Sequence, residues 1–363
     1  MSWKEVRKIL VIKPDNMGDL IMSGPAIRAL KETFNAHITV LTSSMASGIA
    51  KLMPAIDDVL VVDLPWVKTA DRPNPSVFQQ VVSMISEGEF DAAVIFTVFS
   101  QNPLPTAMLA YLAGIPRILA YCRENPYHLI TDWVPDQEPY ELIKHQVRRD
   151  LDLVAAIGAT PQSEHLQLMK DPALNTIVEG KMTSNGIDVG KPWMLLHAGV
   201  SEQKRQYPTE HWIQVGKQVI AQGYQVILTG SGSETLLAAE LADQIGAGAI
   251  SMAGMFPIAE FVELIRIAPA LLSVNTGTIH IAAACQTPVV VLYAQTNPQH
   301  TPWNCPSVVL EYSVPQHLRS NNEVIAHLNR TLYDQYKAAP DAHEVISAVI
   351  QVTSGITANN YQE

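Results

Sequence analysis

Residues Lys13-Pro14-Asp15-Asn16-Met17-Gly18-Asp19 join an apolar run, Ile9 to Ile12, to an amphipathic stretch that begins near Leu20. A strand that ends in a Gly-containing turn and feeds a helix delivers its loop to the carboxyl edge of a sheet. Open α/β sheets bind their ligands at that edge. Asp19, beside flexible Gly18, therefore has the chemistry to accept a proton from a substrate hydroxyl. The same residue also suits a plain helix N-cap, where Asp is common. Local sequence leaves both roles open and favours the cap.

The second half of the chain carries groups suited to an anion. Ser273-Val274-Asn275-Thr276-Gly277-Thr278-Ile279-His280 runs from a buried strand into a helix rich in small residues, Ala282 to Ala284. Backbone amides of a Thr-Gly-Thr turn at a helix N-terminus form an anion site suited to a phosphate or diphosphate. His280, on the first helical turn, fits a phosphate contact and a structural role about equally. Lys204 and Arg205 precede Pro208 in a polar loop after Leu196. Cations at a sheet edge stabilise a departing diphosphate, although a solvated charge pair is commoner in isolation. Gly230-Ser231-Gly232-Ser233-Glu234 lacks the third glycine of a dinucleotide fingerprint, so a nicotinamide site is discounted. Glu234 could accept bonds from a ribose diol or simply start a helix. Asp150-Leu151-Asp152 has the Asp-x-Asp spacing of some metal-dependent sugar transferases. It continues an amphipathic helix from His145 to Ile157 and reads as a solvated face.

The elements that must position these groups recur in two similar halves. Apolar runs at 8–12, 37–42, 59–62 and 92–96 alternate with helical patterns. The same holds for runs at 193–197, 224–229, 249–251, 270–274 and 289–293. Such alternation indicates parallel sheets with crossover helices. The predicted organisation is a doubly wound α/β domain over residues 1–185, a second over 186–330, and a helical segment and tail over 331–363. The break falls at Thr183-Ser184-Asn185-Gly186 and Gly190-Lys191-Pro192. Loops at the carboxyl edges of both sheets are expected to face one interdomain cleft. The stretch from Val324 to Val352 is expected to be helical, packed across that cleft or on the first domain.

The bulk numbers exclude several classes. The 363 residues carry a formal net charge of −11, and 47% are hydrophobic. Residues 1–150 hold 14 basic and 17 acidic side chains, and the remainder 10 and 18. Neither half has the basic surplus of a nucleic-acid binder; the more neutral first half is the better dock for an anionic partner. Cys122, Cys285 and Cys305 lack metal-ligand spacing and suggest no disulfide framework. No signal peptide or membrane span is apparent. A cytoplasmic protein is expected, with contact at the inner membrane surface left open.

Taken together, these stretches resemble glycosyltransferase family 9, the lipopolysaccharide heptosyltransferases, from Ile9 to about Pro302. The matching motifs are Met17-Gly18-Asp19, the basic loop ending Tyr207-Pro208, and Thr276-Gly277-x-x-His280-x-Ala-Ala. Tyr293-Ala294-Gln295-Thr296-Asn297-Pro298 with Thr301-Pro302 is a fourth. The resemblance implies the GT-B fold, two Rossmann-like domains with acceptor on the first and nucleotide-sugar donor on the second. It implies inverting, metal-independent and cofactor-free transfer from ADP-heptose to the lipopolysaccharide core or a related anionic glycan. Asp19 would be the catalytic base. Lys204, Arg205, Glu234, Asn275, Thr276, Gly277, Thr278 and His280 would meet the donor. Lys68, Arg123 and Arg149 would meet the acceptor, Arg suiting its anionic groups through a bidentate fork. The chain departs from the family at Asn275, where Asp is usual, at Arg205 for Lys, and at Tyr207 for Trp. Rival readings are a nucleotide-sugar epimerase or hydrolase of the same fold, and a noncatalytic nucleotide-sugar binder.

Overall fold

A computed structural model describes residues 2–67 and 74–354. Two compact units emerge. The first runs to Gln167 and takes in Glu323–His327; the second begins at Leu168 and includes the chain from Leu328 onward.

The first unit contains β1 (Lys8–Ile12), α1 (Met17–Met22), α2 (Gly24–Phe34), β2 (His37–Thr42), α3 (Ser44–Ala50) and β3 (Asp58–Val61). There follow α4 (Ser76–Glu87), β4 (Ala92–Ile95), α5 (Leu104–Leu112), β5 (Ile118–Cys122), β6 (Asp132–Pro135) and α6 (Gln146–Ala155). Its strands pair in the order β3-β2-β1-β4-β5-β6, every pairing parallel. Central strands read as unbroken apolar runs because helices cover both faces of such a sheet. Ile9, Leu10 and Val11 are accordingly buried.

The second unit contains α7 (Pro172–Ser184), β7 (Trp193–His197), α8 (Thr209–Ala221), β8 (Gln225–Thr229), α9 (Thr235–Ile245) and β9 (Ala249–Ser251). Next come α10 (Ile258–Ile267), β10 (Leu271–Val274), α11 (Gly277–Cys285), β11 (Val289–Ala294) and β12 (Ser307–Tyr312). Helix α12 (Glu323–Thr331) crosses the division in sequence, and α13 (Ala342–Thr353) ends the described chain. The parallel sheet runs β12-β11-β10-β7-β8-β9. Counted from its own first strand, this repeats the order of the first sheet. Each sheet thus reverses direction once, between β1 and β4 and between β7 and β10, and the crevice at such a switch point is where ligands bind.

The unit boundary lies earlier than the sequence breaks suggest. Helix α7 packs on α10, and Lys181 Nζ reaches Met255 O at 2.9 Å and Glu260 Oε2 at 2.6 Å. These contacts draw residues 168–185 into the second unit. The C-terminal segment belongs there too: α13 starts on a capping box between Asp341 and Glu344 and packs against α8, β11 and β12. Val345, Ala348, Val349 and Val352 of α13 enter that core, while Glu323–His327 of the same predicted stretch group with the first unit, as expected. The helical pattern is also broken, at 332–341, into α12 and α13.

Candidate active site

In the first unit, the loop after β1 lies at the switch point. Asn16 occupies the N-cap of α1, and Asp19 falls inside the first helical turn, partly exposed. The N-cap role for Asp19 is thereby replaced: it is the third helical residue, still in the first turn, where the helix dipole favours negative charge. Lys13, at the end of β1, is wholly buried. Its Nζ lies 3.0 Å from Asp15 Oδ2, an ion pair. Burial opposes the charge on Lys13, but Asp15, Asp19 and Asp150 outweigh it and hold the ammonium protonated above its usual range. Gln101 Nε2, from the loop after β4, donates to Asp15 Oδ1 and ties the two loops of the switch point together.

In the second unit, three loops converge. Lys204 and Arg205 end a short 3-10 turn, Gln203–Arg205, after β7. Both cations lie 3.4 Å from Glu202 Oε2. Arg205 Nη1 donates to Asn275 O at 3.2 Å, and Tyr312 Oη donates to Arg205 O at 2.8 Å. The Asn275 amide nitrogen donates to Ala294 O and Thr296 Oγ1, each at 3.1 Å. Its Oδ1 accepts from Ala294 N at 3.3 Å. Asn275 thus straps the end of β10 to the end of β11. Thr276 is the N-cap of α11, with Gly277 and Thr278 opening the helix. Arg205 Nε and Thr276 Oγ1 are buried yet have no hydrogen-bond partner among the described residues. Buried polar groups are rarely left so; Thr276 caps the N-terminus of α11, and Arg205 reaches the residue before it. His280, buried on the same helix, meets His300 edge to face at 6.4 Å.

Glu234 takes the helix-start role of its two readings. Its Oε2 accepts from Ser231 N at 2.6 Å and Ser231 Oγ at 2.8 Å, closing a capping box. Its Oε1 approaches Gly199 so closely that a Cβ there would stand 2.1 Å away. Glycine at 199 is thus what admits the carboxylate. His197, buried and 3.0 Å from Thr229 Oγ1, is pushed below its usual range by burial, against the pull of Glu234.

With this geometry in place, comparison with known proteins is decisive. The sequence profile of glycosyltransferase family 9 (heptosyltransferase) matches residues 81–324, more than half of the chain. The chain belongs to glycosyltransferase family 9. Lipopolysaccharide heptosyltransferase 2 of Escherichia coli is 28% identical over 81% of this chain and 85% of its own. Lipooligosaccharide heptosyltransferase 2 of Haemophilus influenzae is 24% identical over the same shares. A family 9 glycosyltransferase structure from Veillonella parvula superposes with a TM-score of 0.77 at 17% identity, covering 98% of this chain and 99% of that one. E. coli ADP-heptose heptosyltransferase II gives 0.72 at 21%, covering 97% and 100%. The fold is GT-B, and the protein is a glycosyltransferase.

Within this family 9 enzyme, the predicted residues divide. Arg205, Asn275, Thr276, Gly277 and Thr278 meet at one switch point; Asp19 stands at the other. Arg149, expected to face an acceptor, is instead 1% exposed. Its guanidinium binds Thr97 O at 2.9 Å, both Asp136 oxygens at 2.8 Å, and Glu138 Oε2. It also lies 4.4 Å from the Tyr121 ring centroid. No face of it remains for a ligand. Arg123 keeps 26% of its side chain exposed while binding Glu138 O and Phe99 O. Lys68 lies outside the described residues. Asp150 is not on a solvated face: it is buried, bound to Ser23 and Gln146. Asp152 is the partly exposed one, 2.7 Å from Lys144 Nζ. Among the described residues no three His, Cys, Asp or Glu side chains cluster as a metal cage. The three cysteines are unpaired. Sequence reading missed Lys13, Gln101 and Tyr312. Lys13 leaves one signal, a charge closing an apolar strand.

Proposed function

We propose that this enzyme transfers a heptosyl group from ADP-heptose to the lipopolysaccharide core, or a related anionic envelope glycan, by one inverting displacement that needs no metal ion. The observation that carries this reading is the pair of orphaned buried atoms, Arg205 Nε and Thr276 Oγ1, at the N-terminus of α11. A diphosphate supplies the oxygens that would satisfy them. The relatives' names, lipopolysaccharide and lipooligosaccharide heptosyltransferases, and an E. coli heptosyltransferase solved with ADP, support the choice of sugar, nucleotide and acceptor.

In the proposed step, Asp19 takes the proton of the acceptor hydroxyl as its oxygen bonds to the anomeric carbon. The bond from that carbon to the β-phosphate oxygen breaks, and ADP leaves with the electron pair. Lys204, Arg205 and the amides of Gly277 and Thr278 receive the developing charge. His280 supports the phosphate side, Glu234 Oε1 takes the ribose, and Arg123 meets the acceptor's anions. Asn275 differs from its expected role. Its amide is engaged by Ala294 and Thr296, so it shapes the donor loop and leaves the sugar to other groups. No described helix is long and apolar enough to cross a membrane; we place the enzyme at the cytoplasmic membrane face, where a lipid-bearing acceptor would hold it.

The test incubates the purified protein with ADP-heptose and a heptose-deficient lipopolysaccharide core, with and without EDTA, and reads the product by NMR. Transfer with inverted anomeric configuration, indifferent to EDTA, is expected. Release of free heptose or an epimerised nucleotide sugar without transfer would contradict it. A parallel thermal-shift screen of ADP-, UDP- and GDP-sugars should raise the melting point for the ADP sugar most.

A further inference from the structure

Asp150 belongs to the motif that the reaction above does not use, and its surroundings give it a task. Its carboxylate, on α6, is buried. Oδ2 accepts from Ser23 Oγ at 2.7 Å, and Oδ1 from Gln146 Nε2 at 2.8 Å. Ser23 is the joint between α1 and α2. Its N–H points to Asp19 O at 3.3 Å and Leu20 O at 3.1 Å, and its own carbonyl accepts from Ile27 N at 2.9 Å. Ser23 Oγ also lies 3.2 Å from Asp19 O. One hydroxyl hydrogen cannot serve both oxygens fully, and the nearer, charged acceptor is the stronger. A side chain of α6 therefore holds the residue on which the helix turn bearing Asp19 ends.

We propose that Asp150 is a positioning residue for Asp19, fixing through Ser23 the turn of α1 that presents the base. This rests on the reading of Asp19 as base. The same pocket adds a second tie. Lys13, buried at the end of β1, has Asp15, Asp19 and Asp150 as its electrostatic partners, and Thr42 Oγ1 binds its backbone carbonyl at 2.8 Å. A carboxylate with only a packing role would affect folding but would not act through Asp19. One that holds the base loses its effect on the reaction once the base is gone.

A double-mutant cycle separates these cases. Turnover at saturating substrates is measured for wild type, Asp150→Asn, Asp19→Asn and the double variant, with donor affinity by calorimetry and melting temperature for each. Asp150→Asn should lower kcat about 10-fold, in keeping with a small misplacement of a reacting group, with donor affinity and folding retained. The double variant should turn over no more slowly than Asp19→Asn alone. Ser23→Ala, which keeps both carboxylates, should reproduce the loss and takes the place of Asp150→Asn in the cycle if that protein does not fold. Wild-type turnover in Ser23→Ala, or the full 10-fold loss recurring in the Asp19→Asn background, would overturn the inference alone. Wild-type turnover in Asp19→Asn would sink the base assignment and the inference together.

Discussion

The two sheets share one strand order, yet different groups fill their switch points. The first holds buried charge: Lys13 with Asp15 and Asp150, and beyond them Arg149 with Asp136 and Glu138. The second is strapped by neutral groups, the Asn275 amide and the Tyr312 hydroxyl, while Lys204 and Arg205 stay partly exposed. The contrast follows the chemistry proposed for each. A base must be held in a defined place, and a low-dielectric set of paired ions does that. A departing diphosphate needs donors, which backbone amides and a tethered guanidinium supply. One topology thus serves two tasks because its loops differ.

That comparison breaks most sharply at Arg149. Arg149→Leu leaves Asp136 and Glu138 buried without their cation and should cost about 3–5 kcal/mol of stability; urea unfolding measures it. A loss under 1 kcal/mol would mean that the first unit does not depend on its buried ions.

A smaller effect tests the charge on Asp150. Burial pushes its carboxyl up from 3.8 to about 6, against the opposing pull of Lys13, Ser23 and Arg149. Between those values the folded state holds the proton that the unfolded state has lost. This contribution to stability is therefore full below the lower value and disappears as pH rises to about 6, a span worth roughly 3 kcal/mol. Chemical denaturation between pH 3.5 and 7 should show wild-type stability falling relative to Asp150→Asn as pH rises, on the scale of about one such carboxyl.

The second unit should respond to geometry instead of charge. Asn275→Asp restores the acid usual in the family but removes the two donors to Ala294 O and Thr296 Oγ1. It should destabilise the protein by about 1–3 kcal/mol, the cost of leaving buried groups unpaired, and weaken donor binding in calorimetry. Tighter donor binding would show that Asn275 is a sugar contact after all. Least of all, Tyr312→Phe deletes one bond to Arg205 O. A rise in donor KM corresponding to about 1 kcal/mol is expected, with kcat little changed.

Much of the fold is legible in the sequence because inner parallel strands carry long apolar runs, as in β1, β7 and β11. The edges are not. Asp132-Trp133-Val134-Pro135 and Ser307–Tyr312 are only partly covered, so β6 and β12 carry no such run. Ile118–Cys122 follows the apolar helix α5 so closely that its period merges with it. The site divides in the same way. Asp19, Arg205 and the Thr276-Gly277-Thr278 turn are visible because local loop chemistry marks them. Arg149 and Asp150 deceive because their partners arrive from far away: Asp136, Glu138 and Thr97 for one, Ser23 and Lys13 for the other. Adjacent Arg148 and Asp152 are the partly exposed members of that helix, and an alternation of buried and open charges looks like a solvated face until those partners are known.

The central claim, that the first unit supplies a carboxylate base and the second holds the donor, is tested most directly by single-turnover kinetics of Asp19→Asn paired with ADP-heptose calorimetry. The account expects donor affinity within about twofold of wild type and a chemical step slowed about 10²–10⁴-fold, the usual contribution of a general base. A wild-type chemical step, or lost donor binding with unchanged chemistry, would contradict it.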